Sequence, residues 1–420
     1  MPSCPHPVPV DRRRRKLLAA SLLAVPVVVA AQKPGDDARS SCRFILGADV
    51  SSLWAVERGG ARFQTATGQA TSALHLLRDA GMGWARLRLW HTPFNAQDVV
   101  EGGRVVSRRG EPVGGGDNGL ETTLALARRV RALGLKWLLD IHYSDHWADP
   151  GKQFKPAAWA AMEGQALADA VKRYTADVLA KLAAQGTPPH MVQIGNEING
   201  GMLWPSGKTW REKPDERIGG NAALHSLLEA GISAVREFDR QRGGFTPVML
   251  HVAFSGDGKS RETLQRVYGG FEAAKLDYDV IGLSWYPYFH EPIQGLRDNL
   301  AALGERFGKP LILVATSYAW RPDNPGGSPG VFNAAHAEKA GWPATPQGQA
   351  QFSRDVVRAV AEAPRGLGVF WWEPAWLAVP GAGWRTGDGS GWANQSLFDT
   401  DGKPLPALNA LREALPEACR

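Results

Sequence analysis

Eight short apolar runs, each leading into a longer stretch of helical periodicity or the next run, constrain this 420-residue chain more than any other feature. The runs fall at 44–50, 84–90, 136–143, 191–197, 247–253, 278–286, 310–316 and 368–372. Such runs signify parallel strands covered by helices. Helical stretches at 119–133, 164–184, 221–242, 261–274, 293–307, 347–363 and 405–415 supply the crossovers. Eight strands of this kind predict an α/β fold, a single (β/α)8 TIM barrel spanning residues 42–420. An open doubly wound sheet that binds a nucleotide is the competing architecture, but neither GxGxxG nor GxxxxGK[ST] follows the first run. A hydrophobic fraction of 44% is enough for one large core.

The N-terminus is of another kind. Arg12 to Lys16 are five consecutive cations, and Leu17 to Ala31 form an apolar stretch ending in the small residues a signal peptidase cuts after. Residues 1–31 therefore read as an export signal. A membrane anchor would need about 20 apolar residues. Arg14-Arg15-Lys16-Leu17-Leu18 also fits a twin-arginine signal, so both Sec and Tat export remain open. Residues 32–41 form a polar linker, and the mature domain is expected to be secreted or periplasmic, free of the membrane and monomeric. The formal net charge is +6, of which the first 31 residues hold five cations and Asp11, leaving +2 for the rest. That balance does not imply a nucleic-acid partner. Three cysteines are present. Cys4 lies in the leader, while Cys42 and Cys419 sit at the two ends of the barrel, where either a disulfide or two free thiols is compatible with the sequence.

In a TIM barrel the C-terminal strand ends and the loops after them build the active site. Here those positions carry Asp49, Arg86, Arg88, His142, Asn196, Glu197, His251, Tyr286, the neighbourhood of Thr316, Trp372 and Glu373. Burying such groups together is unfavourable unless they pair with one another or meet a ligand. For Asp49 and Asp140 a purely structural ion network is the competing reading, and for His142 and His251 a neutral structural histidine.

The stretch 194–205, IGNEINGGMLWP, places Asn196-Glu197 at the end of the fourth strand. It resembles glycoside hydrolase family 53, the β-1,4-galactanases, within the clan of retaining glycosidases. The same resemblance runs through GADVS (47–51), RLRLW (86–90), DIHYSDHWADPGKQFKPAAW (140–159), VIGLSWYPY (280–288), ATPQGQ (344–349), GLGVFWWEPAW (366–376) and NQSLFD (394–399). It covers nearly all of residues 44–415. The resemblance implies endo-hydrolysis of β-1,4-galactan, the side chain of type I arabinogalactan in pectin. Two carboxyl groups about 5–5.5 Å apart carry out retaining hydrolysis, one as acid/base and the other as nucleophile. Glu197 matches the acid/base, and Asn196 matches a donor to the sugar 2-hydroxyl. Tyr286 matches the tyrosine that contacts the nucleophile.

At the nucleophile position the chain departs from the family. Where the family shows Val-Glu-Thr, it reads Val314-Ala315-Thr316. Alanine can neither attack the anomeric carbon nor stabilise positive charge on it. Glu373 is no replacement, because the family has that glutamate alongside its nucleophile, and Ser317 lacks a general base. The expectation is a galactanase scaffold that binds substrate with severely impaired hydrolysis; the alternative is a natural non-catalytic galactan-binding protein. Indole rings stack on sugar faces, so Trp90, Trp204, Trp285, Trp372 and Trp376 are candidate subsite residues among the 16 tryptophans. No cofactor is expected. The resemblance implies that bacterial members of the family can carry a calcium in the loop after strand seven, but loop 316–336 has only Asp323 and Asn324, without Asp-x-Asp spacing, so the metal is not carried over.

Overall fold

The computed structural model describes residues 43–419 apart from Asp257. The export signal, the linker, Cys4 and Cys42 lie outside the described residues. Cys419 is disulfide-bonded.

Among the described residues eight parallel strands close into a barrel in chain order. They are β1 (Ile45–Asp49), β2 (Trp84–Leu89), β3 (Lys136–Ile141), β4 (Met191–Ile194), β5 (Val248–Ala253), β6 (Val280–Ser284), β7 (Leu311–Thr316) and β8 (Gly366–Trp372). The covering helices are α1 (Ala73–Asp79), α2 (Leu120–Ala132), α3 (Gly164–Ala184), α4 (Gly220–Arg242), α5 (Ser260–Ala273), α6 (Ile293–Phe307), α7 (Pro346–Ala361) and α8 (Pro406–Glu413). In α3, Leu167, Val171, Val178 and Leu182 are buried, the i, i+4 spacing of an apolar stripe against the sheet. Helix α7 starts where Thr345 caps it, its side chain accepting from the Gly348 N–H, with Pro346 in the first turn. No helix among the described residues is long and apolar enough to cross a membrane.

Two differences from the sequence expectation have local causes. The strands stop short of the expected C-terminal ends at β3, β4 and β6, at Ile141, Ile194 and Ser284. Just beyond, Tyr143 and Glu197 have φ of 53° and 48°, a left-handed backbone that cannot extend a strand. Helix α1 is not among the expected helices; its seven residues are too few to display a helical period, and its start is set by the Ser72 cap on His75.

Alternation along the strands divides the barrel interior into two layers. The lower is apolar, a cluster of Ile45, Leu138, Met191, Met249, Val280, Ile312, Val314 and Phe370. Large rings there need small neighbours: a Cβ on Gly47 would lie 2.4 Å from the Phe370 ring. The upper layer holds Asp49, Arg86, Asp140, Gln193 and His251, all essentially inaccessible to water. Strand register brings these together, pairing Asp49 with Arg86 and Asp140 with both Arg88 and Gln193. Strand β7 is irregular. Leu283 and Ser284 face Leu313 and Ala315 on one side, and Leu313 and Thr316 face Val369 and Trp371 on the other, so β7 has one extra residue around Val314-Ala315. A bulge of this kind re-aims side chains at a barrel rim.

We expect Gly47→Ala to destabilise the barrel by about 1–3 kcal/mol through overpacking. A lower urea midpoint, partly recovered by adding Phe370→Leu, is the outcome to look for. An unchanged midpoint would show that the Phe370 ring yields freely.

Candidate active site

Above the apolar layer, Arg86 is the centre of a charge network. Its guanidinium lies 2.7 Å from both Asp49 and Asp140, and it donates to Gln193 at 3.1 Å and to Asn196 Oδ1 at 3.0 Å. Burial opposes the charge on Arg86, but Asp140 and Asp49 outweigh it and its pKa is raised. Burial likewise pushes Asp140 up, yet Arg86 and His142 more than reverse this and hold the carboxyl below its usual range. Asp140 therefore remains ionised beside a fixed cation.

Both histidines are held neutral, mainly by burial. His142 sits 3.0 Å from Asp140 through Nε2, while its Nδ1 receives the Trp90 indole N–H at 3.3 Å and the Ala148 N–H at 3.2 Å. One tautomer, with the proton on Nε2, satisfies all three contacts. His251 contacts Asn196 Oδ1 at 2.9 Å through Nδ1 and Ser284 at 2.7 Å through Nε2. Together Arg86 and His251 fix the Asn196 oxygen, and one of its amide hydrogens goes to the Ala148 carbonyl at 2.8 Å. The second amide hydrogen remains for a ligand.

A cleft of about 440 Å³ opens over this network, and Arg86, Arg88, His142, Asn196, Glu197, His251, Tyr286, Ala315 and Trp372 all line it. Glu197 is half-buried at its floor. Burial raises its carboxyl to about 7, against a hydrogen bond from Ser284 that lowers it, with nearby Asp149 adding to the rise. A carboxyl in that range can give and take a proton near neutrality. Tyr286 packs edge-on to Trp392 with ring centres 5.8 Å apart, and its hydroxyl has no hydrogen-bond partner among the described residues. Ala315, brought to the cleft by the β7 bulge, is 3% exposed.

Other expected site residues lie elsewhere. Asp49 and Glu373 are buried below the cleft surface rather than on it. Glu373 receives the Ser52 N–H and hydroxyl and binds Arg88 at 2.9 Å; burial raises its pKa against the pull of Arg88. Trp90, Trp285 and Trp376 are 0% exposed, which rules out sugar stacking on any of them. Trp90 supports His142. Trp285 faces outward, donates to the Glu291 carbonyl and stacks on Phe352 of α7, because Ser284 takes the inward position. Trp376 packs beneath Trp147, Trp372 and Trp384. Trp204 is half-buried and does not line the cleft. Ser317 is fully buried and donates to Gln395, so its hydroxyl is not presented as a nucleophile.

Selecting strand ends alone also passes over residues that do line the cleft. Trp147, Asp149, Lys152, Phe289, Val331, Trp384, Arg385 and Trp392 reach it from the long loops. Trp372 and Trp384 stack 6.0 Å apart at 17°, with Trp392 edge-on to Trp372 at 4.5 Å. The guanidinium of Arg88 lies 4.3 Å from the Trp147 ring centre, and among the described residues its Nε and Nη1 have no hydrogen-bond partner, Nη1 facing Asp49 at 3.8 Å. The signal for Trp147 lay in the HYSDHWADPGK stretch; Trp384 and Trp392 lie in a glycine-rich loop with no periodicity to place them.

Known proteins resemble this chain over nearly all of its described length. The sequence model described as "Glycosyl hydrolase family 53" matches residues 45–411. The chain belongs to glycosyl hydrolase family 53. It is 33% identical over 403 residues to the arabinogalactan endo-beta-1,4-galactanase of Cellvibrio japonicus, covering 94% of this chain and 96% of that one. With the endo-beta-1,4-galactanase of Bacillus subtilis it shares 32% identity over 405 residues, covering 88% of this chain and 86% of its relative. The solved family 53 catalytic domain of Ignisphaera aggregans superposes with a TM-score of 0.79 at 34% identity, covering 91% of this chain and 98% of that domain.

Arg321 pairs with the carboxylate of Asp323, and Asn324 uses its amide on the Ser328 and Ser390 carbonyls and on the Asn394 N–H. Among the described residues no group of three or more His, Cys, Asp or Glu side chains is disposed to hold a metal.

Glu197 gives a pH-dependent expectation. Its unfolded carboxyl titrates near 4.3, whereas the folded one titrates near 7, so the stability it contributes is complete below about 4.3 and is lost as pH rises to about 7. Glu197→Gln removes that loss. Its melting temperature relative to the parent chain should rise by about 2–4 °C between pH 5 and pH 8. A difference independent of pH would contradict the elevated carboxyl.

Proposed function

We propose that this chain binds β-1,4-galactan, including the galactan side chains of type I arabinogalactan, but is severely impaired in hydrolysing it. The observation that carries this reading is Ala315, a methyl group lining the cleft at the β7 bulge where the family resemblance calls for a carboxylate. The galactanase names of the Bacillus and Cellvibrio relatives support the substrate class.

In this reading Glu197, protonated by virtue of its raised pKa, donates to the glycosidic oxygen as the bond to the leaving sugar breaks. Asn196 holds the 2-hydroxyl with its remaining N–H, an interaction that strengthens as positive charge builds on the ring. The nucleophilic half of that first displacement, which forms a bond to the anomeric carbon as the glycosidic bond breaks, has no agent here. Attack on the anomeric carbon must come from the face opposite the leaving group, and Ala315 offers no lone pair. The other carboxylate lining the cleft, Asp149, follows β3, next to the acid/base strand, and is bound to Lys152 at 2.7 Å. It is on the wrong side to replace a β7 nucleophile. Without covalent participation, turnover falls by several orders of magnitude. Binding is unaffected in kind, because the stacked tryptophans and the Asn196 network do not use position 315. Residues 1–31 direct the domain out of the cytoplasm, where polymeric galactan is met.

Ala315→Glu should raise the release of reducing ends from linear β-1,4-galactan by roughly a thousandfold or more. Equal activity in the two chains would contradict the assignment. Trp372→Ala should weaken galactan binding by about tenfold, measured calorimetrically; undiminished affinity would remove the tryptophan floor from the account.

A further inference from the structure

A second cavity, of about 310 Å³, shares no residue with the cleft. The loops after β1, β7 and β8 enclose it, with Trp320 and Leu377 among its apolar walls and Arg62, Thr400 and Asp401 among its polar ones. Trp320 is half-buried, yet its ring packs against neither apolar cluster of the barrel. Its position is nonetheless fixed. The indole N–H reaches the Ala393 carbonyl at 3.4 Å, and the backbone N–H donates to the Asn394 carbonyl at 2.8 Å. The Arg321 guanidinium, paired with Asp323, lies 5.3 Å from the ring centre. Beside it the β7 loop closes on the β8 loop at Gly326, where a Cβ would lie 2.5 Å from that of Ala378. Only glycine fits this approach.

The polar walls are held as firmly. Asp399 accepts the N–H groups of Asp401 and Lys403 at 2.9 Å each, and the Asp401 carbonyl accepts from Gln64 at 2.9 Å. The turn is thus pinned through its backbone, while the Asp401 carboxylate and the Thr400 hydroxyl make no hydrogen bond among the described residues. Arg62 uses Nη1 on the Ala61 carbonyl at 2.8 Å, and its guanidinium makes no other bond among the described residues.

This combination selects a class of ligand. A simple anion would meet Asp399 and Asp401, and a simple cation would meet Arg62. A ring with an apolar C–H face for the indole, and hydroxyls that donate to a carboxylate and accept from a guanidinium, suits all of the walls. A neutral sugar has that form. The cavity also backs onto the cleft. Leu377 follows Trp376, which packs beneath the cleft rings Trp147, Trp372 and Trp384, and Ala393 follows the cleft residue Trp392. One loop therefore supplies walls to both cavities.

We propose that the pocket of Trp320, Arg62 and Asp401 is a second galactan-binding site, taking a galactose unit of the polymer outside the cleft. This rests on the reading of the cleft as a galactan site. A polymer held in the pocket keeps its other units at high local concentration near the cleft, so long chains gain affinity that short ones do not.

The test titrates the full chain with galactotetraose, counting sites by calorimetry, and with linear β-1,4-galactan. The parent should show two sites for the tetrasaccharide. Trp320→Ala should lose one and keep the dissociation constant of the other within about twofold, Asp401→Ala should weaken that same site by about tenfold, and Trp372→Ala should weaken only the other. Polymer affinity should fall by roughly tenfold in Trp320→Ala. Circular dichroism checks the fold of Trp320→Ala, and the exposed Asp401 supplies a variant that removes no packing. A single site in the parent, weakened by Trp372→Ala and untouched by Trp320→Ala and Asp401→Ala, would overturn the pocket while leaving the cleft reading standing. No galactan binding by the parent chain would overturn both.

Discussion

Arg86 has no route to water, and the upper half of the barrel is arranged around that fact. A buried guanidinium is tolerable only if its charge is matched and its N–H groups are used, and Asp49, Asp140, Gln193 and Asn196 do both. Each partner in turn orients something that faces the cleft. Asp140 sets the tautomer of His142, whose other nitrogen receives Trp90 and the backbone at Ala148. Asn196 is locked between Arg86, His251 and Ala148. Glu197, the proposed acid/base, sits beside this locked residue on a left-handed backbone, φ 48°, strain that the surrounding network sustains.

The same network explains how the fold accommodates an alanine at position 315. Arg86 is fully bonded without a carboxylate from β7, so removing one leaves no charge uncompensated at the centre of the barrel. What remains at the site is a methyl group on a bulge, with the Tyr286 hydroxyl and the Nε and Nη1 nitrogens of Arg88 making no hydrogen bond among the described residues. The proposed function makes binding and chemistry separable in this chain: affinity would reside in indole faces and the Asn196 network, whereas turnover would need a second carboxylate aimed at the anomeric carbon.

Much of this was legible in the sequence, and the limits have physical reasons. The eight strands and most helices follow from apolar runs and periodicity, and the polar strand ends follow from knowing which rim of a barrel carries chemistry. Burial direction was less legible. Trp285 reads as a candidate subsite residue because its indole falls near a strand end, but alternation after Ser284 turns it outward, and Trp90 is engaged with His142. The true cleft aromatics Trp147, Trp384 and Trp392 come from loops whose path depends on packing across the barrel mouth, which no local pattern encodes. The β7 bulge is equally invisible, since one extra residue leaves the apolar run unbroken.

The central claim is that the site is complete except for its nucleophile. The most direct measurement supplies a substitute: the parent chain is incubated with an activated aryl β-galactobioside and sodium azide, and the products are examined by nuclear magnetic resonance. If the claim holds, azide enters the space above Ala315, forms a bond to the anomeric carbon as the aryloxide departs, and yields the α-glycosyl azide at a rate that rises with azide concentration. An absence of α-azide, with the aryl galactobioside shown to be bound, would contradict it.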